Sequence, residues 1–259
     1  MKLESYHLAL IAGILSGKDA YTSGHSARVA IISYHILSTL KNGDLNKIFK
    51  MSEIGGKKRI NYKKDIAEIS QTETEDYLIT GALLHDIGKA AIPDYILNDN
   101  EGLSPEHLRT IRMHPEIGYK MLTNAIPHES INKYIVDIIL NHQENFDGRG
   151  YPYGKSGTDI PLIARIVTAA DIFDACTTNR TYQKKRTWLY IMETELTDRE
   201  RVFGKQLDTV ICSALIEWLN SYGISVKKIN PSVADIEEII KYKALEKYNF
   251  KKEYFPSYE

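Results

Sequence analysis

The chain has 259 residues, 26% of them charged, and Lys+Arg 33 against Asp+Glu 34 leaves a formal net charge of −1. Such a chain is neither a polycation built for duplex nucleic acid nor a composition that stays unfolded, and its length suffices for one large core. Its two cysteines, Cys176 and Cys212, lie in apolar helical patterns and read as small buried hydrophobes of a reducing compartment, not as a disulfide framework.

Helical periodicity starts at residues 2–17, where Leu3, His7, Leu10, Ile11 and Ile14 share a face. The apolar run from Leu8 to Leu15 is too short to span a membrane, and Glu4 offsets Lys2 ahead of it. It therefore predicts the first helix of a soluble, cytoplasmic domain and not a leader. After a polar break at 19–25 the helical period resumes over 25–40, and His25 and Arg28, three apart, share a face. Residues 41–76 change character. They read as an inserted loop with one or two short helices, opened by a turn at Asn42-Gly43-Asp44. The cluster Lys57, Lys58, Arg59, Lys63 and Lys64 within it reads as a solvated face, with phosphate contact as the alternative.

Residues 77–87 predict an apolar, core-facing helix stopped by Gly88, and its end carries His85, Asp86 and Lys89. Ser104 and Pro105 predict a helix start, and Pro115 starts another directly after His114. An amphipathic helix over 129–142 ends at His142 and gives way to a glycine-rich loop, Phe146 to Asp159. The next helix, 162–176, is apolar nearly all round yet contains Asp171 and Asp174 on one face. One or two helices follow within 188–222, then a Lys- and Glu-rich helix over 233–247 and a polar, aromatic tail. No strand pair and no internal repeat is evident, so the expected class is all-α.

Acids and imidazoles accumulate where helices end or where an apolar face is interrupted: His25, His85, Asp86, His114, His142 and Asp171. Neutral imidazole and carboxylate are the usual ligand pair for divalent transition metals, and a helical core can bring such groups together. Residue chemistry alone leaves two readings open, a shared metal site or scattered helix-end histidines.

A resemblance bears on that choice. His85-Asp86 followed by Ile87-Gly88-Lys89 resembles the signature of the HD phosphohydrolase superfamily, and the chain resembles its HD-GYP family of cyclic dinucleotide phosphodiesterases. The motif from Asp19 to Arg28, His114-Pro115-Glu116-Ile117-Gly118, the stretch His142 to Pro152 with its Gly-Tyr-Pro, and Arg165 through Asp174 to Arg180-Thr181-Tyr182 follow in the family's order. The resemblance spans about residues 3–222. It implies an HD-domain helical bundle over 1–222 with a metal site at its centre, plus a C-terminal helical extension and tail over 223–259.

Several roles are implied by this resemblance. One metal would be held by His25, His85, Asp86 and Asp171, and a second by Asp86, His114 and His142, with Asp86 bridging. Arg28 and Asp174 would hold ligands in place. Asp86 and Lys89 would be catalytic, and Lys89 and Arg180 would contact substrate phosphate. The loop of Asp147, Gly148, Gly150, Tyr151 and Pro152 would shape the mouth of the site or contact signalling partners. The implied reaction opens cyclic di-GMP to pGpG, perhaps followed by GMP, through a metal-bridging hydroxide, with iron or manganese the expected metals. The chain departs from the family at Tyr21, where three-metal members carry Glu, and at Gln143, where His is common. Two metals are therefore expected. No receiver or sensor domain is expected ahead of the motifs. Another cyclic dinucleotide, such as cyclic GMP-AMP, or a nucleotide as substrate is the alternative enzyme reading. A cyclic-dinucleotide-binding scaffold with little turnover is a third, and the intact ligand set argues against it.

Overall fold

The protein is described from a computed structural model, which covers residues 22–52, 62–69, 73–97, 104–177 and 205–221. The helices expected over 2–17 and 233–247, together with Tyr21 and Arg180, lie outside the described residues. Among the described residues the chain forms ten α-helices. These are α1 (Thr22–Asn42), α2 (Leu45–Ser52), α3 (Tyr62–Ile69), α4 (Thr74–Leu84), α5 (Asp94–Leu97), α6 (Pro105–Arg112), α7 (His114–Ala125), α8 (Lys133–Asn141), α9 (Leu162–Thr177) and α10 (Thr209–Ser221). No β-strand forms among the described residues, and Asp147 and Ser156 make an isolated antiparallel bridge. The expected all-α class holds.

Helix α1 is the hub, packing on α4, α9 and α10, while α8 joins α4, α7 and α9. Its spacing explains this position. Val29, Ile32, Ile36 and Leu40 recur at helical intervals, and all are fully buried. They meet Leu78 of α4, Ile138 of α8, Ile166, Val167 and Phe173 of α9, and Ile211 and Leu215 of α10 in one core. Each such side chain contributes about 1.5–3 kcal/mol on burial. Helix α9 is apolar on nearly every side because neighbours flank it on several sides.

The segment expected as an insertion does hold two short helices, and they do not lie apart on the surface. Ile48 of α2 and Tyr62, Ile66 and Ile69 of α3 enter the main core. The Tyr62 hydroxyl donates to Asp208 Oδ1 at 2.7 Å. Asp208 Oδ2 accepts from Arg165 Nη1 at 2.5 Å, and Arg165 Nε donates to the Ile160 carbonyl at 2.9 Å. This buried ion pair has both members hydrogen-bonded, as burial requires. It ties α9 and α3 to the start of α10.

Two details correct the sequence reading of the opening motif. Helix α4 ends at Leu84, not at residue 87, and Gly88 is no C-cap: it sits inside a 3-10 turn, Ile87–Ala91. Its requirement is close approach. A Cβ on Gly88 would lie 1.9 Å from the His114 carbonyl oxygen and 2.6 Å from the Gly118 nitrogen, both backbone atoms. Gly118 faces it from α7, where a Cβ would lie 3.2 Å from the Gly88 nitrogen. The glycine pair lets the turn lie directly on α7, and so sets Asp86 against His114. Gly88→Ala should therefore destabilise the fold by about 2 kcal/mol or more. Urea denaturation of the full chain checks this, and an unchanged midpoint would show that the contact is not required.

Candidate metal centre

Five segments deliver the site. His25 and Arg28 come from the N-terminal part of α1, and His85 and Asp86 from the turn that closes α4. His114 is the first residue of α7, His142 follows the last residue of α8, and Asp171 and Asp174 lie along α9. Asp86 has φ −98° and ψ 10°, the sparsely populated region where many active-site residues sit. The four imidazoles form an arc. His25 and His85 have ring centroids 5.4 Å apart, His85 and His142 5.0 Å, and His142 and His114 5.1 Å.

Every ring is held by its outer nitrogen. Nδ1 of His85 donates to the Ala82 carbonyl at 2.7 Å, that of His114 to Ile111 at 2.8 Å, and that of His142 to Ile139 at 3.1 Å. His25 Nδ1 donates to Asp174 Oδ2 at 2.7 Å. Carbonyls and carboxylates only accept, so each Nδ1 carries the proton, and wherever the ring is neutral its Nε2 lone pair turns inward. Asp174 is itself fixed by Arg28, through Nε at 2.5 Å and Nη2 at 3.0 Å. Such outer partners orient metal-binding imidazoles and raise their basicity.

The inner atoms suit a metal and little else. His25, His85 and Asp86 form one buried triad of converging donor atoms, and Asp86, His114 and His142 form a second. Asp171 Oδ1 lies 3.1 Å from His25 Nε2, at the first triad. Asp86 Oδ2 is 3.4 Å from His85 Nε2, and Oδ1 is 3.3 Å from His114 Nε2 and 3.6 Å from that of His142. Nε2 of His114 and Nε2 of His142 are 3.0 Å apart, lone pair toward lone pair. Among the described residues His85 Nε2 and Asp86 Oδ1 are buried with no hydrogen-bond partner. Opposed lone pairs and orphaned buried acceptors are costly unless a cation lies among them. The donor set fits divalent metal.

The titration behaviour follows from burial and pairing. Burial pushes His114 down to about 3 and lowers His142, although Asp86 opposes the shift in both. For His25 burial also acts downward, but hydrogen bonds and charges of Asp171 and Asp174 outweigh it and push it up to about 9. Burial would raise Asp86, yet Lys89 and His85 hold it well below the usual carboxylate range. Burial would likewise raise Asp171, and His25 holds it down. The Lys89 ammonium reaches back to Asp86 Oδ2 at 2.5 Å and stays partly exposed at the rim.

The Gly-Tyr-Pro loop is stitched over one side of this centre. Tyr151 packs edge-on to His114 at 6.2 Å, and its hydroxyl donates to Gln143 Oε1 at 2.9 Å. Burial raises the Tyr151 hydroxyl pKa, and the charges of Asp86 and Asp171 raise it further. Glu144, buried, accepts the Tyr153 and Lys155 backbone N–H groups at 2.8 and 3.1 Å. Gly150 has to be glycine, since a Cβ there would lie 2.2 Å from the Asn145 nitrogen. Gly148 has φ +84°, where glycine is favoured. Asp147 Oδ1 accepts the Arg149 N–H at 3.1 Å, and the Tyr151-Pro152 peptide is cis.

Of the residues singled out from sequence, His25, His85, Asp86, His114, His142, Asp171, Arg28, Asp174 and Lys89 come together, and Arg180 lies outside the described residues. The sequence reading missed Glu144 as the loop's anchor, Gln143 as the partner of Tyr151, and Arg112, whose guanidinium lies 5.5 Å from the Tyr151 ring centroid. A carboxylate directly after a helix-ending His and before a glycine-rich loop was the available signal for Glu144. Nothing in the sequence pointed to Arg112.

Fold and site together define a helical bundle built around paired His/Asp metal triads. The chain belongs to the HD domain family, whose profile matches residues 46–199, and within it to the HD-GYP type. It is 40% identical over 123 residues to a cyclic di-GMP phosphodiesterase of Pseudomonas aeruginosa, covering 46% of this chain and 29% of that protein. The cyclic di-GMP phosphodiesterase response regulator RpfG of Xanthomonas campestris is 44% identical over 110 residues, 41% of this chain and 27% of its own length. A 3'3'-cGAMP-specific phosphodiesterase of Vibrio cholerae is 31% identical over 170 residues, 66% and 30% respectively. The chain spans less than a third of each of these curated relatives. Among solved structures, the HDG"Y"P protein Bd1817 of Bdellovibrio bacteriovorus shares the fold, with a TM-score of 0.51, 19% identity, and coverage of 83% of this chain and 63% of that one. Among the described residues no helix is long and apolar enough to cross a membrane.

Removing the Asp174 carboxylate (Asp174→Ala) should weaken metal binding about 10–100-fold while leaving the inner donors in place. Competition against a chromophoric chelator measures this, and unchanged affinity would remove Asp174 from the site's support. Metal-stripped protein should also show a stability maximum near neutral pH. Below the unfolded His value of 6.5, the unfolded chain binds protons that native His114 and His142 refuse, so stability falls as pH drops from there toward about 3. The contribution of His25 has the opposite sign. It is fully present below 6.5 and is lost as pH rises through about 9. Urea midpoints that kept rising to about pH 9 would contradict the His25 pairing.

Proposed function

We propose that this chain is a metal-dependent phosphodiesterase that hydrolyses cyclic di-GMP to pGpG, and more slowly to GMP, with two divalent metals held by His25, His85, Asp86 and Asp171 on one side and by Asp86, His114 and His142 on the other. The observation that carries this reading is the sharing of one buried carboxylate, Asp86, between two triads of converging donor atoms. The names of the curated relatives support the substrate class. Paired divalent metals supply Lewis acidity toward phosphoryl oxygens and a nucleophilic hydroxide near neutral pH.

The protein's own groups then have definite tasks. Asp86 and Asp171 together offset only part of the charge of two divalent ions, and the surplus suits a phosphodiester anion. The Lys89 ammonium, paired with Asp86 and partly exposed, is placed to neutralise charge that builds on phosphate oxygens. Arg180 is proposed as a second phosphate contact. The Arg28–Asp174 pair keeps His25 oriented. Two metals are favoured over three because the Gln143 carboxamide oxygen accepts the Tyr151 hydroxyl. Iron or manganese suits the mixed nitrogen and oxygen donors. The exposed edge of the loop, with Arg149 and Tyr153, is proposed as the contact for signalling partners, and the whole reading carries a cytoplasmic location with it.

A second substrate, 3'3'-cGAMP, is favoured by one observation: a relative named for that specificity aligns over 66% of this chain. Incubation of anaerobically purified, iron- or manganese-loaded protein with cyclic di-GMP, 3'3'-cGAMP and cyclic di-AMP, followed by product chromatography, tests the assignment. The expected product is pGpG, with turnover at least about 10³-fold lower in Asp86→Ala. A loaded protein that cleaves none of the three would overturn it.

A further inference from the structure

Building on the cyclic dinucleotide reading above, we propose that Arg112 grips the second, non-scissile phosphodiester of the substrate and so selects ligands that carry two phosphates.

Arg112 is the last residue of α6. A single residue, Met113, turns the chain with φ −81° and ψ −10°, and His114 opens α7. The His114 ring is bonded to the Ile111 carbonyl at 2.8 Å, so the backbone next to Arg112 is locked to a proposed metal ligand on both sides. The Arg112 guanidinium is therefore presented from a rigid junction, not from a loose surface turn.

Its side chain has a definite place. The guanidinium carbon lies 5.5 Å from the centroid of the Tyr151 ring. That ring stands edge-on to His114, whose Nε2 is 3.3 Å from Asp86 Oδ1. Tyr151 is held in turn by the Gln143 carboxamide. One aromatic ring thus links the cation to the second metal triad. A guanidinium over an aromatic face is oriented by the ring quadrupole, and its in-plane N–H groups stay available for a planar fork onto an anion.

Its charge is uncommitted, unlike that of its neighbours. On the same helix Arg109 pairs with Glu106 at 3.7 Å. On the loop Arg149 pairs with Asp147 at 3.5 Å, and Lys155 donates to Asn141 Oδ1 at 2.7 Å. Among the described residues Arg112 has no carboxylate partner, and it is exposed at the rim.

The substrate chemistry supplies what such a cation lacks. A cyclic dinucleotide carries two phosphodiester monoanions on opposite sides of one macrocycle. When one diester lies at the triads beside Lys89, the other has to lie away from them and needs its own cation. Arg112, one ring's width from the second triad, is placed for it. A substrate with one diester makes no use of this contact.

The test compares two substrates on the metal-loaded full chain: cyclic di-GMP, with two diesters, and bis(p-nitrophenyl) phosphate, with one. Arg112→Gln should raise KM for cyclic di-GMP about tenfold or more with little change in kcat. The ratio of kcat/KM between the two substrates should fall by the same factor. Arg112→Lys, which keeps the charge but not the fork, should recover part of it. Equal losses on both substrates would mean that Arg112 acts only by supporting Tyr151, and no loss on either would mean that it touches nothing. Both results overturn the inference while leaving the phosphodiesterase reading intact. Wild-type protein that hydrolyses bis(p-nitrophenyl) phosphate but no cyclic dinucleotide would overturn the substrate assignment, and the role of Arg112 with it.

Discussion

One buried carboxylate holds two triads together. Asp86 is almost fully buried, and its two oxygens face different imidazoles, Oδ2 toward His85 and Oδ1 toward His114 and His142. A lone carboxylate in that setting is destabilising unless positive charge surrounds it. Lys89 supplies some of that charge from the rim, and the inward lone pairs of the neutral His114 and His142 rings supply none. The site is thus organised around a deficit of positive charge at its centre.

The fold creates that deficit by bringing helix termini together. His85, His114 and His142 each lie at a helix end, and each donates its outer nitrogen to a carbonyl three residues earlier in the chain. The same short-range bond thus fixes three rings without distant partners. His25 lies within a helix instead, so it needs the longer support of Asp174 and Arg28 across the α1–α9 interface. Close approach of the turn after α4 to α7, permitted by Gly88 and Gly118, then sets the spacing between the two triads.

Much of this was legible in sequence because helix-ending histidines and acids on an apolar helix face violate the usual burial pattern, and violations mark sites. The helices around them could be read from their apolar period and from caps such as Ser104. Three features could not. Gly88 follows an apolar run and imitates a helix stop, but its reason is a contact with a segment nearly thirty residues away. Residues 41–76 read as peripheral because they are polar and broken, while the few apolar residues of α2 and α3 suffice to enter the core. Glu144 and Arg112 matter through what folds beside them, the loop backbone and Tyr151, and no local spacing reveals such partners.

The sharing of Asp86 is tested most directly by metal stoichiometry. Mass-spectrometric metal analysis of anaerobically purified wild-type protein should give two divalent ions per chain. Asp86→Asn should lose both together, because the two triads meet at that carboxylate. A variant that kept one ion at full occupancy, or a wild-type chain holding only one, would contradict the shared-ligand centre.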